Sequence, residues 1–271
     1  MTEAVARPVP GTPCWVSLMA CDLRASEEFY GELFGWQFRR VEQELGPHVR
    51  AYLDGLDVAG LGEIRKGHGF PAAWLPYLAT DDADETSGLI RDCGGTVGVG
   101  PMDSGQGDRV AIAADPAGAS FGLWQADALP EQPAAGRPGT PVWNEIIVPE
   151  AMMVTAFYRA VFGYQVERLS VPQSQSDYRT FLLAGRPVCG VRGVGGALPF
   201  DRGSMWVTYF AVSELTSALR MVDKLGGRVH SEPRDSPYGC YARVSDPDGA
   251  PFALIEMLDP RDAVERPLRD R

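Results

Sequence analysis

The sequence predicts an α+β fold built from four βαβββ modules, two in each half of the chain. Three observations predict it: an internal repeat, a regular alternation of strand-like and helix-like segments, and turn signals at matching places in both halves. Gly11-Thr12-Pro13-Cys14-Trp15 recurs as Gly139-Thr140-Pro141-Val142-Trp143, and residues 11–37 share 9 identities in 27 positions with residues 139–165. Ala73-Trp74 recurs as Met205-Trp206, Gly94-Gly95 as Gly226-Gly227, and Asp115-Pro116-Ala117-Gly118 as Asp246-Pro247-Asp248-Gly249. The order is kept and the offset drifts only from 128 to 132, which marks a duplication.

Each element has a local reason. Residues 15–20 form a short apolar run that ends at Asp22, a good helix N-cap. Leu23, Ser26, Tyr30, Leu33 and Phe34 follow at helical spacing until Gly35 stops the helix. Residues 36–41, 49–53 and 58–64 read as strands separated by turn residues. The second module opens with a strand at 74–79 and a helix from Asp81 or Asp82 to Gly94-Gly95. Strands at 96–99, 109–114 and 120–125 complete it, and the Asp-Pro-Ala-Gly at 115–118 is a hairpin turn. The second half repeats the plan, with its last helix at about 214–225. The domains expected are an N-terminal extension (1–11), a first domain (12–126), a Pro/Ala/Gly-rich linker (127–139), a second domain (140–258) and a charged tail (259–271).

Composition limits the partners. The 271 residues are 45% apolar and 23% charged, enough to bury a core without a metal or disulfide staple. Asp and Glu number 36 against 25 Lys and Arg, a formal charge of −11. That balance argues against nucleic acid and against anionic membranes. The five cysteines are odd in number and lack a C-x-x-C pair, so they read as buried small hydrophobes in a reducing compartment. The segment MTEAVARPVPG lacks the apolar core of a signal peptide, and no apolar run approaches the ~20 residues of a membrane span. A cytoplasmic protein is expected, as monomer or homodimer.

The D-L-x-x-S-x-x-F-Y-x-x-x-F-G run at 22–35, its weaker copy at 150–163 and the two D-P-x-G turns resemble the vicinal oxygen chelate superfamily. That superfamily includes glyoxalases, bleomycin resistance proteins and extradiol dioxygenases, and the tandem halves resemble an actinobacterial glyoxalase-like subgroup. The resemblance implies two tandem cup-shaped domains, each curled from two modules. It also implies metal ligands on the first and last strands of modules. The first-strand positions, seven residues before Asp22 and at the repeat, hold Trp15 and Trp143. The second modules hold Leu75 and Val207 there, and the last-strand positions four residues after Gly118 and Gly249 hold Gly122 and Ala253. None of these can ligate a divalent metal. His48, His68 and His230 fall elsewhere, and Glu256 lies on the opposite strand face. No metal and no cofactor is therefore expected.

A metal-free cup would be lined by alternate strand residues. The candidate ligand-binding residues are Trp15, Ser17, Tyr52, Tyr77, Trp124, Trp143, Glu145, Tyr178 and Tyr209. Aromatic walls with a few polar tips suit a small, mostly apolar aromatic metabolite. Trp15 and Trp143 could be a ligand platform or plugs of the old metal site. Trp124 and Tyr209 could be pocket or core, and Tyr52 and Tyr178 could line the cup or brace it. Trp74 and Trp206 read as packing on the other face. Glu145 is the catalytic candidate, as a general base raised by desolvation, unless an arginine of a neighbouring strand pairs with it. His48, beside Pro47, reads as a solvated loop histidine, and the Gly-rich stretches 98–107 and 190–203 read as mobile loops. The function expected first is metal-independent binding of an aromatic metabolite, for resistance, sequestration or carriage. The alternatives are a natural-product tailoring enzyme of isomerase, cyclase or lyase type, and a regulatory scaffold.

Overall fold

The computed structural model describes residues 8–43, 46–64, 71–105, 107–134, 136–168, 177–196 and 198–258. The expectations for residues 1–7, for His68 and for the tail 259–271 fall outside them. The first half runs β1 (Pro13–Ala20), α1 (Leu23–Phe34), β2 (Gln37–Gln43), β3 (Gly46–Leu53), β4 (Leu56–Glu63), β5 (Ala73–Ala79), α2 (Ala83–Asp92), β6 (Thr96–Gly105), β7 (Asp108–Ala114) and β8 (Ser120–Gln125). The second runs β9 (Pro141–Val148), α3 (Ala151–Phe162), β10 (Gln165–Arg168), β11 (Asp177–Leu183), β12 (Arg186–Gly193), β13 (Met205–Val212), α4 (Leu215–Lys224), β14 (Arg228–Val229), β15 (Arg234–Ser236), β16 (Gly239–Ser245) and β17 (Pro251–Met257). The βαβββ order holds four times, with the second strand of the last module split into β14 and β15.

The helix starts follow from their caps. Asp22, Asp82 and Glu214 each accept two backbone N–H groups from the first turn of α1, α2 and α4. These are donors that a helix cannot satisfy internally. Glu150 gives α3 no such bond, and α3 is held by its buried face of Val154, Phe157, Tyr158 and Phe162.

Each half forms one curled sheet. The strand orders are β2-β3-β4-β1-β5-β8-β7-β6 and β10-β11-β12-β9-β13-β17-β16-β14, with β15 on β16. The two modules of a half meet at an antiparallel pair, with Ser17 opposite Leu75 and Glu145 opposite Val207. Alternation sends Val16, Leu18 and Ala20 to the helix side and Trp15 and Ser17 to the cup side.

The cores cross between the halves. One combines α1 and β1–β4 with Phe210, Leu215, Val222, Phe252 and Leu254 of the last module. The other combines α3 and β9–β12 with Leu78, Ile90, Phe121 and Leu123 of the second module. Full burial of a ring such as Phe210 or Phe121 stabilises by about 1.5–3 kcal/mol. The repeated motifs supply the polar centre of each core. Trp74 Nε1 donates to the Tyr30 hydroxyl (2.9 Å), which donates to Asp246 Oδ2 (3.0 Å). Trp206 Nε1 donates to the Tyr158 hydroxyl (3.2 Å), which donates to Asp115 Oδ2 (3.1 Å). The tyrosine of each F-Y motif thus reaches the D-P-x-G aspartate of the other half. Trp74 and Trp206 pack on the helix side, as the alternation predicts.

Three expectations are corrected. Residues 98–105 are not a loop but part of β6. As an edge strand that pairs with β7 through several register shifts, β6 tolerates its glycines and Pro101. Residues 190–193 likewise belong to β12, and Pro199–Asp201 form a 3-10 turn. The cysteines are free, and Cys14 and Cys189 are buried, but Cys21 is exposed because it follows the last residue of β1.

Candidate functional site

The first cup is built on the register of β1. Trp15 is 7% exposed, and its ring meets Trp124 edge-on at 5.7 Å, with Tyr77 also edge-on to Trp124 at 6.5 Å. Trp15 Nε1 donates to Ser17 Oγ (3.1 Å), and the Ser17 hydroxyl hydrogen-bonds the Tyr77 phenol. The Tyr77 ring lies where a side chain at position 122 would begin, so only glycine fits there. The Arg50 guanidinium sits over the Trp15 ring at 5.5 Å and pairs with Asp57 at 3.4 Å. Tyr52 belongs to the cup's margin, its ring under the Arg39 guanidinium at 5.0 Å.

His48 is a correction. It lies within β3, half-buried and opposite Gly62, because the β2–β3 hairpin extends past Pro47. A methyl group placed on Gly60 would stand 2.6 Å from Ser17 Oγ and 3.0 Å from His48 Cε1, so serine and imidazole converge on one point. Burial, reinforced by the Arg50 charge, lowers the His48 pKa to about 4. The imidazole is therefore neutral at pH 7. Burial pushes the Tyr77 phenol up to about 12.

The second cup gathers Trp143, Glu145, Tyr178 and Tyr209 into one network. Trp143 Nε1 donates to the Tyr178 hydroxyl at 3.2 Å, and the Arg192 guanidinium covers the Tyr178 ring at 4.8 Å. Arg192 grips Glu145 bidentately, Nε to Oε1 and Nη2 to Oε2, both at 2.9 Å. The Tyr209 hydroxyl donates to Glu145 Oε1 at 3.2 Å, and Arg243 Nη2 approaches the same oxygen at 3.4 Å. Tyr241 stands tilted against Tyr209 at 5.6 Å. Glu145 is 1% exposed. Burial alone would raise its pKa, but the Arg192 charge and hydrogen bonds, with Arg243 and Tyr209, bring it below the usual range. The carboxylate stays ionised and is a weak base. Of the two arrangements the sequence left open for Glu145, the structure has the paired one. Burial and then the Glu145 charge push the Tyr178 and Tyr209 phenols upward, so both stay neutral.

Sequence reasoning missed Arg192, Arg243 and Tyr241, and it put His48 in a loop. The alternation of β12 from Gly190, and of β16 back from the Asp-Pro turn, was the available signal for the first three. The pairing that joins these strands into one cup is nonlocal.

The fold and these clusters can be set beside known proteins. The model of the Glyoxalase/Bleomycin resistance protein/Dioxygenase superfamily matches residues 14–123 and again 141–254. The chain belongs to this superfamily. Among curated relatives, it is 32% identical over 271 residues to the anthracycline biosynthesis protein DnrV of Streptomyces peucetius, covering 94% of this chain and 96% of DnrV. It is 33% identical over 254 residues to CFP32 of Mycobacterium tuberculosis, provisionally named a glyoxylase, covering 91% of this chain and 95% of CFP32. Among solved structures, the Mn(II)-bound glyoxalase from Novosphingobium aromaticivorans superposes with a TM-score of 0.63 at 13% identity, covering 93% of this chain and 83% of that one. A variant of homoprotocatechuate 2,3-dioxygenase from B. fuscum gives 0.61 at 16% identity, covering 95% and 75%. At such identities these two structures speak for the fold alone.

The superfamily implies a divalent metal, and the donor set of this chain does not fit one at the implied positions. Trp15 and Trp143 take the first-strand positions, and Leu75 and Val207 the matching ones of the second modules. Gly122 lies under the Tyr77 ring, and Ala253 is fully buried opposite Tyr209. Glu256 faces away and accepts the backbone N–H of Leu215 at 2.8 Å, at the start of α4. Among the described residues, no three His, Cys, Asp or Glu side chains cluster as a metal site would require. No helix among them is long and apolar enough to cross a membrane.

Proposed function

We propose that this superfamily member binds a planar, mostly apolar aromatic metabolite in its cups, without a divalent metal, in the service of natural-product biosynthesis. The observation that carries the reading is that every implied ligand position holds a residue that cannot ligate a divalent metal, amid Trp15, Tyr77 and Trp124 in one cup and Trp143, Tyr178 and Tyr209 in the other. Flat rings stack on such walls, and a few hydroxyls orient them. The kinship with an anthracycline biosynthesis protein supports a polycyclic aromatic ligand. Incubation of the protein with an anthraquinone, followed by extraction and mass spectrometry, tests the binding role. Recovery of unchanged ligand in stoichiometric complex is expected; a new mass would contradict simple binding.

A second reading, a tailoring enzyme, is favoured by one observation. His48 stands beside Ser17 in an aromatic cup, where its neutral imidazole accepts a hydrogen bond from a bound phenol or enol and fixes the orientation of the reacting group, while its pKa of about 4 makes it too weak a base to hold that proton. On that reading His48→Asn abolishes turnover of such a ligand while leaving its affinity within about twofold.

A further inference from the structure

In the second cup Arg192 and Arg243 both bear on Glu145, and Arg243 is only 8% exposed. Its Nη2 reaches Glu145, but its Nε is buried and has no hydrogen-bond partner among the described residues. A buried donor left unsatisfied costs about 1–3 kcal/mol, more when charged, and native interiors seldom tolerate one without a use. Arg243 stands on β16 opposite Ala253, so it projects into the cup at the strand position next to the one implied for the metal ligand. The residue with the same register in the first cup is Ile112, opposite Gly122. Among the described residues, the buried guanidinium with an orphaned Nε therefore belongs to the second cup.

We propose that the second cup seats an anionic oxygen of its aromatic ligand, a carboxylate or an ionised phenol, on Nε of Arg243. This rests on the aromatic-ligand reading and deepens it, naming the ligand class as acidic planar aromatics. A guanidinium presents fixed, charge-assisted donors to such an oxygen, stronger than neutral ones. The anion would satisfy Nε while the ring stacks among Trp143, Tyr178 and Tyr241. Glu145 keeps Arg243 in place and is not itself displaced, because Arg192 holds both of its oxygens.

Three anthraquinone probes test it by quenching of tryptophan fluorescence. They are the 2-carboxylate, the 2-carboxamide of the same shape, and 1,2-dihydroxyanthraquinone. The proposal expects the carboxylate to bind at least tenfold tighter than the carboxamide, or the dihydroxy compound to bind in its red, ionised form below its free pKa. The first result identifies a carboxylate, the second a phenolate. Arg243→Gln should reduce the charged probe to the affinity of the carboxamide, and Arg243→Lys should restore part of the difference. The wild-type comparison needs no variant, so it stands even where Arg243→Gln does not fold. Equal binding of carboxylate and carboxamide, with the dihydroxy compound bound neutral, overturns the anion subsite and leaves the aromatic reading intact. Failure of all three probes to bind overturns both.

Discussion

At the centre of the first cup, Ser17 lies beside a neutral His48 and the Tyr77 phenol; at the same register in the second, Glu145 is gripped by Arg192 and Arg243 and capped by Tyr209. The strand pairings make the comparison residue by residue. Ser17 opposite Gly60 corresponds to Glu145 opposite Gly190, and His48 opposite Gly62 to Tyr178 opposite Arg192. The aromatic frame is shared: Trp15 with Tyr77 in one, Trp143 with Tyr209 in the other. After duplication the frame was kept and the polar centre diverged, to a neutral set in one cup and an ionic one in the other. The crossed Trp-Tyr-Asp chains diverged far less, because each must satisfy the same buried groups between halves.

The largest effect that separates the cups is expected from removing their central side chains. Glu145→Leu removes the buried carboxylate that Arg192 and Arg243 share and should cost about 3–5 kcal/mol in a denaturant titration. Ser17→Ala, at the equivalent place, removes one neutral hydrogen-bond partner and should cost about 1 kcal/mol. Similar losses for the two variants would break the contrast between ionic and neutral centres.

The next effect concerns the glycine that seats Tyr77. Gly122→Ala pushes a methyl group into the Tyr77 ring and should cost about 1–3 kcal/mol, with a changed tryptophan spectrum as Trp124 shifts. Unaltered stability and fluorescence would mean that the ring is not held there.

The crossed chains offer a comparison in which equality is expected. Tyr30→Phe and Tyr158→Phe each strand a buried tryptophan N–H and a carboxylate, at about 1–3 kcal/mol apiece. A large difference between them would show that the two interfaces are not equivalent.

A further effect is a dependence on pH. Burial raises Asp246 from 3.8 to about 6, outweighing its bonds from Ala250 and Tyr30. The folded protein thus holds this proton more tightly than the unfolded chain. The stability it contributes is full below about pH 3.8 and is lost as pH rises through about 6. Measured from pH 4 to 7, the stability of the wild type relative to Asp246→Asn should fall as pH rises. A difference that grows with pH would reverse the assigned sign.

How much was legible follows from the range of the interactions. The Asp22 and Asp82 caps, the halts at Gly35 and the Asp-Pro hairpin turns depend on neighbours a few residues away, and they read directly from the chain. The repeat exposed the modules because both copies kept the residues of the crossed chains. The partner of Tyr30 is 216 residues distant, so the reason for keeping it could not be read locally. Glu145 was placed on the cup side by alternation alone, but Arg192 and Arg243 are 47 and 98 residues away, and only strand pairing brings them to it. His48 was hidden by Pro47, a turn signal that here lies inside an edge hairpin.

The central claim, an aromatic cup that works without a metal, is tested most directly by calorimetric titration of an anthraquinone into EDTA-treated protein and into the same protein resupplied with Mn(II). The account predicts equal affinities and stoichiometries in both. Binding that appears only with Mn(II), or strengthens by tenfold or more, would contradict it.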